Sequence, residues 1–179
     1  MASTPTPRIT ESVMLDTLMN YLVSMARTVE SAMNRALDAI VRLENPRTAA
    51  LPGEVFLLEP RINEMEIVID EHAIRLLRQG SFPEDELRLI VAALKLNNDL
   101  ERIGDLAVNL AERVVSLHEM AGVEIPEELA PMVSAVRAMV SQSLGRPFSA
   151  MSRWPPRSWK AMTLWINTAT ASLSASFCV

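Results

Sequence analysis

The chain has 179 residues, of which 49 % are apolar and 4 % aromatic, with 5 glycines and 11 methionines. That balance favours helix formers over strand formers, so an all-helical protein of one domain or a compact pair is expected. The net charge of -5 argues against a nucleic-acid binder, and the single cysteine, Cys178, excludes a disulfide framework or a thiolate zinc site.

Residues 1–9 read as a disordered, polar, Pro-rich start without the apolar region of a signal peptide. A first helix is predicted over residues 10–43. Met14, Leu18, Leu22, Met25, Val29, Met33, Leu37 and Ile40 recur at spacings of three and four, which builds one buried face. Asn45-Pro46 ends it, because proline disfavours the helical state in the residue before it. Residues 47–53 form a loop carrying Pro52.

The second helix has the stripe Leu58, Ile62, Met65, Ile69, Ala73 and Leu76. Pro60 reads as a first-turn proline or a kink, and Gln79-Gly80 as a C-terminal cap. Ser81, Pro83 and Glu84 resemble a capping box that opens a third helix over 83–120, stopping at Gly122. Its stripe is Leu89, Ala93, Leu96, Leu100, Ile103, Leu110, Val114 and Leu117. Three long helices with short connections predict an antiparallel three-helix bundle over 10–122. A fourth helix begins at Pro126 and carries Met132, Val133, Val136, Met139 and Val140. No apolar run reaches the length of about 18 residues that a membrane span needs, so the expected compartment is the cytoplasm.

Polar stripes accompany the apolar ones. On the second helix Glu59, Asn63, Glu66 and Asp70 share a face; on the third, Asn98, Glu101, Asp105, Asn109 and Glu112 do. Each helix thus holds a Glu-x-x-x-Asp pair, Glu66/Asp70 and Glu101/Asp105. Facing carboxylates repel unless a proton or a cation sits between them. Oxygen ligands on facing helices suit hard cations such as Mg²⁺, Mn²⁺, Ca²⁺ or iron. The same stripes also fit plain solvated faces. Gly104, in the middle of the third helix, costs about 1 kcal/mol relative to alanine. It marks close approach, either of a ligand or of a packed helix. His72 and His118 lack the Glu-x-x-His spacing of a ferritin-like site, since Ile69 and Val115 stand where Glu is needed. No phosphate loop, nucleophile elbow or Ser/His/Asp signature appears.

The run Asn97-Asn-Asp-Leu-Glu-Arg-Ile-Gly-Asp-Leu-Ala-Val-Asn-Leu-Ala-Glu112 closely resembles the signature of the PhoU family of phosphate transport regulators. The segment Arg61-Ile-Asn-Glu-Met-Glu-Ile-Val-Ile-Asp-Glu71 resembles the family's partner helix. The resemblance covers about residues 10–145. It implies a fold of two repeated three-helix bundles, here one bundle over 10–122 and the first helix of a second repeat over 123–145. It implies a cytoplasmic, often dimeric protein that is not an enzyme. Such a protein represses the phosphate-starvation response by contacting a sensor histidine kinase and the ATPase of the phosphate ABC transporter. It also implies a metal at Glu66, Asp70, Glu101 and Asp105, divalent or ferric (Mg, Mn, Fe or Zn), with Asn63, Asn98 and Asn109 as weaker candidates. Two rivals remain: a helical oligomerisation module without metal, and a carboxylate-bridged ferritin-like metalloenzyme.

Residues 146–179 depart from this pattern. All 22 acidic residues precede them, all three tryptophans lie within them, and helical periodicity stops. Shifted by one base, Trp159-Lys160 forces Glu, while Met162-Thr163 and Trp165-Ile166 each force Asp. The segment therefore reads as a frameshift product. The fourth helix is then expected to present an apolar face without a partner.

Overall fold

Apolar residues at three- and four-residue spacing give α1 (Pro7–Val41) in the computed structural model, which describes residues 7–43, 45–79, 82–120 and 123–145. The helix starts ahead of the predicted Thr10. Proline suits that first turn, where backbone N–H groups have no intrahelical partner. The tail at 146–179 and the first six residues lie outside the described residues.

A 3₁₀ turn at Pro46–Thr48 leads to α2 (Leu51–Gln79). Asn45 caps the turn by accepting the Arg47 N–H at 3.0 Å. The buried Thr48 hydroxyl reaches the carbonyls of Arg42 at 2.7 Å and Asn45 at 2.8 Å. α2 therefore begins earlier than expected, and Pro52 occupies its first turn at no hydrogen-bond cost. Pro60 is an interior proline on the exposed side, where it removes one helical bond.

α3 spans Glu84–His118. The expected capping box is not the observed cap. Pro83 holds the N-cap position without a side-chain bond, and its carbonyl takes the N–H groups of Glu86 and Leu87, each at 3.0 Å. Glu84, Asp85 and Glu86 complement the positive end of the helix. Ser81, Gly80 and Gly122, read as cap and stop signals, lie outside the described residues.

The three helices pack against one another as an antiparallel bundle. α1 and α2 run oppositely: His72 Nε2 lies 3.0 Å from the Met14 carbonyl, and Arg35 donates to Glu54 at 2.7 Å at the other end. Leu15, Leu18, Leu22 and Met25 of α1, Ile69 and Leu76 of α2, and Leu89, Ile90, Leu96 and Leu100 of α3 are fully buried between them. Each such side chain contributes about 1.5–3 kcal/mol by leaving water. Among the described residues there is no strand, and no helix is long and apolar enough to cross a membrane.

α4 (Leu129–Val140) continues into one wider π turn, Ser141–Gly145. Its apolar face does not lack a partner, contrary to expectation. Val133, Val140 and Leu144 are buried in the same core as α1, with Leu129 and Val136 beside them. Arg137 fixes the crossing by donating to Asp38 at 2.8 Å and Asn34 at 3.3 Å, both on α1. Met132 and Met139 remain on the outer side.

Candidate metal centre

α2 and α3 meet in a reversed register that the sequence encodes through small and branched residues. Gly104 is buried, and a Cβ placed there would stand 3.2 Å from both Cδ1 and Cγ2 of Ile62 and 3.9 Å from Val29 Cγ2. What approaches Gly104 is therefore the neighbouring helix. One turn toward the N-terminus of α3, Glu101 comes within electrostatic range of Glu66. A further turn along, Asn97 meets the turn of α2 that carries Glu66 and Asp70.

The four sequence-predicted ligands thus lie along one seam but in two settings. Glu66, Glu101 and Asp105 share a field. The Glu101 carboxyl is pushed above its ordinary value of 4.5, first by partial burial, then by the negative charges of Asp105 and Glu66 and a hydrogen bond with Asp105. Asp70 is engaged differently: its Oδ1 accepts from Asn97 Nδ2 at 2.8 Å. Glu66, Asp70 and Glu101 are half-buried and Asp105 is exposed. Among the described residues no three His, Cys, Asp or Glu side chains stand together as a group able to hold a metal ion. Carboxylate oxygens are the donor type that hard cations take, but here they are not gathered into such a group.

Asn63, Asn98 and Asn109, the weaker candidates, are all exposed. The residue that sequence reading missed is Asn97. It is fully buried, and its Nδ2 also donates to the Glu66 carbonyl at 2.9 Å. The signal was present: an asparagine adjoins Leu96 on the apolar side, whereas Asn98 falls on the polar one. Asp99 next to it is raised by burial, an effect partly offset by Arg102. His72 packs edge-on against Tyr21, ring centroids 5.9 Å apart, and ties α2 to α1; His118 is exposed at the end of α3.

Residues 22–114 match the family model described as the PhoU domain. The chain is 33 % identical over 133 residues to a phosphate-specific transport system accessory protein PhoU homolog of Pseudomonas aeruginosa, covering 73 % of this chain and 52 % of that protein. A homolog of the same description from Aquifex aeolicus is 29 % identical over 130 residues, covering 73 % of this chain and 57 % of its own. One from Pseudomonas putida is 34 % identical over 105 residues, covering 59 % and 40 %. No solved structure matches. The chain spans about half the length of the curated relatives it matches. The matched domain contains α2 and nearly all of α3, with the whole carboxylate seam between them, and on this ground the chain belongs to the PhoU family.

Proposed function

We propose that this chain is a non-catalytic regulatory module of phosphate transport. It acts by protein–protein contact with a sensor histidine kinase and the ATPase of the phosphate ABC transporter, in the cytoplasm and as a homodimer. The relatives' description as accessory proteins of the phosphate-specific transport system supports the role. The seam of Glu66, Asp70, Glu101 and Asp105 takes a hard cation, divalent or ferric. One observation carries this part: partial burial raises Glu101, and the negative charges of Asp105 on its own helix and Glu66 on the facing one raise it further. When bound, the cation supplies the positive charge that neutralises this field and ties α2 to α3. The chain's residues position oxygen donors on two rigid helices and leave the outer side of Asp105 open to a partner.

The test is titration of the metal-free chain with Mn²⁺, followed by capture of purified kinase and ATPase domains. Saturable Mn²⁺ binding that is lost in Glu101→Gln and Asp105→Asn supports the reading, and binding unchanged in both variants overturns it. A second reading, an oligomerisation module without metal, draws on the lack of a closed three-ligand group among the described residues. It predicts that both variants keep the wild-type oligomeric state and partner capture.

A further inference from the structure

The outward ridge of α2 carries apolar side chains that the three-helix core does not use. Leu57, Ile67 and Ile74 are 79 %, 58 % and 52 % exposed, and Pro60 between them is exposed as well. A lone exposed leucine is ordinary, but these residues are not scattered. Pro60, Ile67 and Ile74 follow one another at seven-residue intervals, so they form one line along the helix. Leu57 stands on the flank of that line toward α1, the side on which His72 meets Met14. The core is served by a different line of α2, Val55, Ile62, Ile69 and Leu76, all buried. The helix thus has a second apolar line at coiled-coil spacing, and among the described residues it is left open.

Toward the C-terminal end of the same ridge lies a hollow of about 510 Å³ lined by Glu71, Ile74, Arg75 and Arg78. These residues stand at i, i+3, i+4 and i+7, the four positions that form a hole for a knob from a facing helix. Leu57 is the most exposed large apolar side chain among the described residues, and it projects on the flank where the hollow opens. One helix cannot fill its own hole, but two copies related by a two-fold axis fill each other's. With the helices antiparallel and Leu57 level with Arg75 of the second copy, the axis crosses α2 at the level of Glu66 and Ile67. The two Ile67 side chains then meet across it. Arg61 falls level with Glu71 of the second copy on the same flank, so the axis generates two pairs of opposite charge. We propose that this ridge is the two-fold interface of the homodimer, an inference that rests on the homodimer reading above. The occupant is a second copy of this chain because knob, hole and both charges belong to one helix, in the order that antiparallel self-pairing brings together.

The experiment is sedimentation velocity of the full chain over a concentration series. It compares wild type, Leu57→Glu, Arg61→Glu, Glu71→Arg and the double charge reversal. All three positions are exposed, so the fold is kept, and far-ultraviolet circular dichroism checks it. Leu57→Glu is expected to raise the dimer dissociation constant by about 30-fold or more, as loss of a central interface anchor does. Each single charge reversal weakens the dimer, and the double variant returns to the wild-type constant. Arg61 and Glu71 are about 15 Å apart along one helix, so this rescue can arise only between copies. A dimer unchanged in Leu57→Glu, or charge reversals without rescue, overturns the proposal and leaves the homodimer reading standing on another face. A wild type that stays monomeric removes both. Capture of the kinase or ATPase domain that is lost in Leu57→Glu while the dimer persists gives the ridge to that partner and overturns the proposal as well. Should Leu57→Glu not fold, Leu57→Ser takes its place in the same series.

Discussion

Replacing Gly104 with alanine sets two opposed effects against each other at one atom. Alanine is the better helix former by about 1 kcal/mol, and a buried methyl adds about 0.8 kcal/mol of hydrophobic gain. Against this, the new Cβ would stand 3.2 Å from two carbons of Ile62, where ordinary contact begins at 3.4 Å. Ile62 is 2 % exposed and cannot swing into open space. Overpacking of this kind costs about 1–3 kcal/mol. Gly104→Ala alone is therefore expected to lie within about 1 kcal/mol of wild type by urea denaturation. The diagnostic quantity is its coupling to Ile62→Val, which removes Cδ1, one of the two crowded atoms, and alone costs about 0.5–1.5 kcal/mol. In the double variant the two changes should relieve each other by about 1 kcal/mol. Effects that add to within about 0.5 kcal/mol would refute the claim that Gly104 sets the α2–α3 approach. Gly104→Val extends the test to the seam: it should force the helices apart, lower stability and weaken cation binding together.

Three further outcomes follow from the same structure. Glu101 titrates above 4.5 in the fold, so between 4.5 and its raised value the folded state binds more protons than the unfolded one, and stability falls as pH rises through that window. Metal-free Glu101→Gln should therefore melt above wild type at pH 7, with the difference closing as the pH drops below 4.5; parallel melting profiles would sink this. Arg137→Ala should speed amide exchange in α4 while leaving α1–α3 protected. The Arg137–Asp38 pair is about one-third exposed (37 % and 38 %), and such pairs contribute only about 0–1 kcal/mol globally. For residues 146–179, sequencing the coding DNA from Val140 through the stop should reveal an alternative frame that stays open and supplies another Glu/Asp-x-x-x-Asp stripe; an immediate stop in that frame refutes the frameshift.

The helices were legible because their apolar stripes are long and unbroken: Leu15, Leu18, Leu22 and Met25 need one face of one helix, whatever packs on it. Helix starts were less legible because proline is ambiguous. Pro52 and Pro60 look alike in sequence, yet one fills a first turn and the other interrupts an established helix on its solvent side. The carboxylate spacing gathered Glu66 with Asp70 and Glu101 with Asp105 on one face of each helix, but periodicity within a helix does not say which neighbour that face meets. A single position of rotation separates Asn97, buried against α2, from Asn98, exposed. The partner of α4 was illegible for a similar reason. Its apolar face is plain in the sequence, while the Arg137 contacts that seat it on α1 join residues 99 and 103 positions apart.

Three local departures from stable helix packing cluster within two turns of α3. Glu101 is partly buried beside like charges, Asn97 carries an unpaired buried acceptor, and Gly104 gives up helix propensity so that Ile62 can come close. Elsewhere in α3 the interior follows ordinary rules, with Leu89, Ile90, Ala93 and Leu96 buried. Natural sequences depart from such rules mainly where function requires it. Under the proposed reading one cation neutralises the charge crowding, and binding to the folded form alone stabilises it by about 2.7 kcal/mol at a concentration one hundred times Kd. The close approach at Gly104 and the hydrogen bonds of Asn97 hold α2 and α3 together along this seam. Stability and cation occupancy are then linked through the α2–α3 seam. A partner that reads the exposed side of Asp105 would be reading that linkage.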